Sequence, residues 1–147
     1  MPIEIRILGP DDEQVLMNVA KGVFDNPIDP CLAKEFLHDA RHHISAAIDD
    51  GVIVGFASAV HYVHPDKPPQ LWINEVSVAA GYRRQGLGQG LLRLLFELGR
   101  SLGCTGAWVL TDRLNVAAMA LYLSVGGRQG ADDEGPSDAT LGYSFDL

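Results

Sequence analysis

The sequence is short of several things, and each shortage removes a class of answer. Two of its 147 residues are cysteine, Cys31 and Cys104, so no disulfide framework is expected and a reducing, cytoplasmic setting is the default. No apolar run approaches the roughly 20 residues of a membrane span. The N-terminal MPIEIRILGPDDE has no basic-then-apolar leader, so no export signal is expected either. Basic residues are scarce, 11 Lys and Arg against 19 Asp and Glu, for a net charge of −8. That charge argues against nucleic acid as a substrate and favours a cationic partner. The five histidines fall in no His-Glu-x-x-His or related spacing, so no metal is expected. Neither repeat nor linker divides the chain, and residues 1–147 read as a single domain.

What is present centres on residues 71–102, LWINEVSVAAGYRRQGLGQGLLRLLFELGRSL. Trp72, Ile73, Val76 and Val78 are strand formers. Leu87, Leu91, Leu94, Leu95, Leu98 and Leu102 recur at the spacing of one helical face. Between them lies a loop both glycine-rich and basic, Gly81 to Gly90. A helix start leaves backbone N–H groups unpaired and carries the positive end of the peptide dipoles. Glycines let a ligand approach that backbone. Strand, loop and helix together predict a phosphate cradle, with Arg83 and Arg84 adding forked donors. The Gly-Lys-Ser/Thr of a P-loop is missing, and Leu91 stands where a dinucleotide fingerprint needs glycine.

The pattern that does fit is Arg83-x-x-Gly86-x-Gly88, placed between a strand and a long helix. It resembles the signature of the GNAT superfamily of N-acetyltransferases. A second stretch, Asn115 to Gly127 (NVAAMALYLSVGG), resembles the family's other recognisable segment, although Gly127 replaces its final aromatic. The resemblance implies an α+β fold: a twisted mixed sheet of six to seven strands flanked by four helices, with the fourth and fifth strands splayed to admit acetyl-CoA. It implies cofactor contacts from Val76, Ser77, Val78, Arg83, Arg84, Gln85, Gly86, Gly88, Asn115 and Tyr122. GPDD near the start, Tyr62-Val63 and NEVSVAAGYRRQG look most like aminoglycoside acetyltransferases acting on the 3-amino group. Family members are often dimers, so a homodimer is expected.

The remaining chain fits that order. Residues 3–8 alternate as a strand. Asp11 or Asp12 is expected to cap a helix whose face is Leu16, Val19, Ala20, Val23 and Phe24. Asp29-Pro30 opens a second helix with Ala33, Phe36, Leu37 and Ala40 inward. Residues 42–49 and 52–63 read as strands joined at Asp50-Gly51. Residues 105–111 are a buried strand and Asn115 starts a helix ended by Gly126-Gly127. A short strand is expected near Arg128, a polar mobile loop over 130–139, and a last antiparallel strand over 141–147.

Acetyl transfer to an amine poses two proton problems. An alkylammonium, with pKa about 10.4, must lose a proton before it attacks. The leaving thiolate benefits from gaining one. The resemblance makes Tyr122 the general acid, against the plainer reading of a core tyrosine. For the base, alternation puts Glu75 on one side of its strand with Ile73 and Ser77. Enclosure among apolar neighbours would suit it to the task. The alternative is a carboxylate that pairs with arginine or only attracts a cation. Asp112, His61, His64 and Tyr62 are held in reserve. A backbone N–H between Val76 and Val78 would polarise the carbonyl. The sequence therefore predicts acetyl transfer to a primary amine of a small aminoglycoside- or polyamine-type molecule. A protein-amine acetyltransferase and an idle acyl-CoA-binding domain are the alternatives.

Overall fold

The computed structural model describes residues 2–130 and 140–147, so the expected loop lies, but for Gly130, outside the described residues. The strands are β1 (Glu4–Ile7), β2 (His42–Asp49), β3 (Val52–Tyr62), β4 (Gln70–Val78), β5 (Gly106–Asp112), β6 (Arg128–Gln129) and β7 (Thr140–Asp146). The helices are α1 (Glu13–Leu16), α2 (Pro30–His38), α3 (Leu87–Ser101) and α4 (Val116–Ser124). One mixed sheet runs in the order β1-β2-β3-β4-β5-β7-β6. Its only parallel pair among the described residues is β4 with β5. The expected fold class is the one found, including the short strand at Arg128 and an antiparallel β7.

Local chemistry explains the joints. Asp50 (φ 49°) and Gly51 (φ 78°) both take the left-handed conformation that a tight hairpin turn demands. Asp29 caps α2 by accepting the N–H groups of Cys31 and Leu32 at 2.8 and 3.1 Å, with Pro30 in the first turn. Within α3, Leu87, Leu91, Leu92, Leu95, Phe96 and Gly99 are buried, while Leu94 and Leu98 are half-buried and Leu102 is exposed. The buried stripe is thus turned towards residues 92, 96 and 99. Gly99 permits that rotation, because Leu71 and Leu147 pack where its side chain would stand.

The first expected helix is largely absent. Helical structure stops at Leu16; Val19 instead bridges Ile53, with Asn18 and Ala20 hydrogen-bonded to Ile53 at 2.9 Å each. Gly22, at φ 82°, then turns the chain. Apolar spacing of three and four residues is served here by a short bridge and a turn, which bury or half-bury Leu16, Val19, Ala20, Val23 and Phe24 without a helix. Asp12 stands at the start of α1 but does not cap it. Its carboxylate accepts from the Gly9 amide at 2.7 Å and from the Arg6 guanidinium at 3.0 and 3.1 Å, which lowers its pKa.

The two faces of the sheet carry different partners. Gly55 abuts Leu91 of α3, whereas the adjacent Phe56 stacks on Phe24 with centroids 4.0 Å apart. Neighbouring strand residues point to opposite faces. Therefore α3 covers one face and the segment from α1 to α2 covers part of the other.

Candidate active site

Two features of β4 build the site. The first is where it leaves β5. Their pairing covers Leu71, Trp72 and Ile73 against Ala107, Trp108 and Val109, and ends there. Beyond Ile73 the strands part, and the cleft between them opens towards α3 and α4. Ala79 donates its N–H to Val54 on the β3 side. Alternation along the strand then turns the N–H and C=O of Val78 and Val76 to the opposite edge, into the gap. The carbonyl of Val78 indeed accepts from Nε of Arg83 at 3.1 Å. Val76 and Val78, more than Ser77, are the backbone positions free to meet a ligand as an added strand would.

The second feature is a bulge. Ser58 pairs with Glu75 but Ala59 pairs with Ile73, so Asn74 is the extra residue. Cross-strand partners share a face. Glu75 therefore lies with Ser58 and, through the Phe56 pairing, with Ser77; Ile73 lies with Ala59 on the α3 face. The expected grouping of Glu75 with Ile73 is corrected by that one inserted residue. The expected apolar enclosure is corrected too, because Glu75 is exposed. Among the described residues its carboxylate has no hydrogen bond or ion pair, so an arginine partner is not found there.

The cleft beside β4 has a volume of ≈ 760 Å³. Of the expected cofactor contacts, Val76, Ser77, Val78, Arg83, Arg84, Gly86, Gly88, Asn115 and Tyr122 line it, and Gln85 does not. Tyr82, Leu87, Gln89 and Leu121 also line it. The loop itself is a short 3-10 turn over Ala80–Tyr82, followed by Arg84 at φ 62° and Gly86 at φ 78°. Two left-handed residues in three turn the chain sharply into α3. Tyr82 anchors the loop to the sheet by donating to Asp49 at 2.5 Å, a bond that raises its own pKa. No atom lies within 4 Å of the position a Gly86 side chain would take, so the cradle is open there. Gly88 has a different duty: a side chain there would sit 3.1 Å from Leu121, so its smallness sets the approach of α4. Gln89 and Ser124 tie the same helices at 3.1 Å.

Tyr122 is 5% exposed, packed against Tyr143 and Phe145, with burial pushing its phenol above the ordinary value. Asn115 caps α4 by accepting the Ala118 amide at 3.1 Å. The missing aromatic after Gly126 is compensated in space. Gly127 lies under the ring of Phe145, which packs on Phe96 and Tyr122.

A second cleft, of ≈ 720 Å³, lies on the α1–α2 side. Glu75 and the bulged Asn74 line it together with Phe24, Asp25, Asp29, Leu32, Phe36, His42 and Ser58. Sequence reading passed over Asn74, because a bulge is set by pairing with the neighbouring strand. The reserve residues fall elsewhere. Asp112 accepts the Leu114 amide at 2.8 Å and builds a turn. His61 contacts His43, Nδ1 to Nε2 at 2.7 Å, on the face away from Glu75. Tyr62 is exposed at the far end of β3, and His64 lies in the following loop. None of the four lines either cleft. Burial raises the Cys104 thiol pKa, as suits a structural cysteine, and Cys31 is exposed.

A mixed sheet parts beside its central strand, with the start of α3 at the mouth of the gap. The chain belongs to the Acetyltransferase (GNAT) family, which it matches over residues 14–126. Over 141 residues it is 33% identical to the L-2,4-diaminobutyric acid acetyltransferase of Streptomyces avermitilis, covering 91% of this chain and 76% of that protein. Its fold is shared with an aminoglycoside acetyltransferase from an uncultured soil metagenomic sample, with TM-score 0.72, 24% identity, and 88% and 94% of the two chains covered. Arabidopsis thaliana NAA60, solved with a bisubstrate analogue, superposes with TM-score 0.71 at 17% identity over 99% and 97% of the chains. Among the described residues no helix is long and apolar enough to cross a membrane.

Proposed function

We propose that this acetyltransferase moves an acetyl group from acetyl-CoA directly to a primary amine of a small cationic molecule. The observation that carries the reading is that consecutive residues of β4 line two clefts, Asn74 and Glu75 the one and Val76 to Val78 the other. One holds Tyr122, the Val76 and Val78 backbone edge and the start of α3; the other holds Glu75.

The residues fit acetyl-CoA. Amides in the first turn of α3 and the side chains of Arg83 and Arg84 suit a diphosphate. The backbone edge of Val76 and Val78 suits the amide-bearing arm. Acetyl-CoA supplies an activated thioester. Glu75, directly or through water, takes a proton from the incoming ammonium. The freed nitrogen attacks the thioester carbonyl, so a C–N bond forms as the C–S bond breaks. A strand amide, from Val76 or Val78, donates to the developing oxyanion. Tyr122 gives its phenolic proton to the departing sulfur; the nitrogen, cationic once it has attacked, loses a second proton that returns to the Tyr122 phenolate through solvent, and Glu75 releases the first to bulk water. A buried phenol with raised pKa keeps that proton across the neutral range.

The test is amine-dependent release of free thiol from acetyl-CoA, read beside heat stabilisation by CoA. Thiol release with an amine and stabilisation together support the reading. Stabilisation with no amine accepted leaves an acyl-CoA-binding domain; neither result leaves no acetyl-CoA function.

A further inference from the structure

The acceptor-side cleft carries information beyond its charge. Its walls are Phe24, Ile28, Leu32, Phe36, Ile44 and Phe56. Phe24 and Phe56 stack almost parallel, at 9°, and Phe36 tilts against His42 at 5.2 Å. These rings make a stiff apolar surface of the kind that covers a hydrocarbon body. Besides its carboxylates the lining carries Asn26, His42, Ser58 and Asn74. Asp29 is committed to the α2 amides, leaving Asp25 and Glu75 as the carboxylates for an ammonium. The lining contains no lysine or arginine.

We infer that the acceptor is a primary amine carried on an apolar alkyl or aryl body and lacking a carboxylate. The inference rests on the reading above that this cleft receives the acceptor. Three physical arguments carry it. A ligand carboxylate here would face Asp25 and Glu75, with no lysine or arginine in the lining to pair it and the one lining histidine, His42, already 3.8 Å from the Asp39 carboxylate. A polyhydroxylated amino sugar would bring more hydroxyls than Asn26, His42, Ser58 and Asn74 can pair, and each one left unpaired against the phenyl and alkyl walls costs about 1–3 kcal/mol. A hydrocarbon body on the same walls gains about 25 cal/mol for each Å² taken from water. Charge selects an amine, and the walls select what the amine is attached to. This chain thereby parts from its relative named for diaminobutyrate, a molecule with a carboxylate and little apolar surface.

The experiment measures thiol release from acetyl-CoA with 2-phenylethylamine, kanamycin and L-2,4-diaminobutyrate. Phenylethylamine is expected to exceed each of the others at least tenfold in kcat/KM. Phe36→Ala is expected to raise its KM at least fivefold, with heat stabilisation by CoA unchanged. Leu32→Ser, at a position 64% exposed where the fold is not at stake, is expected to act in the same direction. Kanamycin or diaminobutyrate turned over within tenfold of phenylethylamine, or better, overturns this inference and leaves the acetyltransferase reading intact. So does a KM for phenylethylamine that neither variant moves. Stabilisation by CoA with none of the three amines accepted overturns this inference; neither thiol release nor stabilisation by CoA overturns the acetyl-CoA reading as well.

Discussion

At the scale of single residues, the site depends on how a few side chains are placed more than on which they are. Tyr122 was legible from its position in the second motif, and its burial among Tyr143 and Phe145 makes it a protonated phenol at neutral pH. Tyr122→Phe is expected to lower kcat by about 10²-fold or more, within the range of a general acid, while CoA affinity changes little. Steady-state rates and a CoA titration check this, and the wild-type alkaline limb should lie above the ordinary phenol value. Glu75 was legible as a residue but not as an environment. Its side of the strand follows from Asn74, whose bulge is a property of the pairing with β3 and leaves no local signature. Gly127 shows the reverse. It stands where the family pattern has an aromatic, yet a side chain there would lie 2.5 Å from the Tyr122 carbonyl and 2.8 Å from Phe145. Gly127→Ala is therefore expected to destabilise by about 1–3 kcal/mol, as overpacking does, measured by urea unfolding.

At the scale of elements, the succession of strand, loop and helix was readable, because each part has a distinct sequence habit (β-branched residues, glycines, a leucine period), whereas the bulge in β4 and the buried face of α3, turned to residues 92, 96 and 99, were not. The loop's left-handed residues are the exacting part. Gly86→Ala is expected to cost about 1–2 kcal/mol, since a side chain at φ 78° is strained even with open space around it. It should also weaken CoA binding by displacing the first amides of α3; thermal melts with and without CoA separate the two effects. The region between β1 and α2 was the least readable. Spacing of apolar residues by three and four is equally served by a one-turn helix, a β-bridge to Ile53 and a turn at Gly22, and only the tertiary partner decides between them. That same region supplies Phe24 and Asp25 to the cleft proposed for the acceptor, so the half of the candidate site proposed for the amine was the half that sequence periodicity misplaced.

At the scale of the whole molecule, the sheet divides its faces between two tasks. The α3 face carries most of the large buried leucines, and the opposite face opens beside Glu75. At the far end of the α3 face, His43 is held near a pKa of about 4, chiefly by burial and then by the charges of His61 and His42. Its ordinary value is 6.5, so between those limits the unfolded chain binds more protons. Stability is therefore fully present above about pH 6.5 and falls as the pH drops towards 4. The ring is partly exposed, and solvent screening reduces the effect to about 1 kcal/mol, or a few degrees in Tm. Melting curves at pH 7.5 and 4.5 check it: wild type should lose more than His43→Phe does.

The central claim is that the start of α3 and the free edge of β4 hold one extended ligand between them. A crystal structure with CoA bound tests it most directly. The account predicts diphosphate oxygens within hydrogen-bond distance of amides between Arg84 and Gly88, and the arm bonded to the backbone of Val76 or Val78. CoA bound elsewhere, or bound with those amides and that edge untouched, would contradict it.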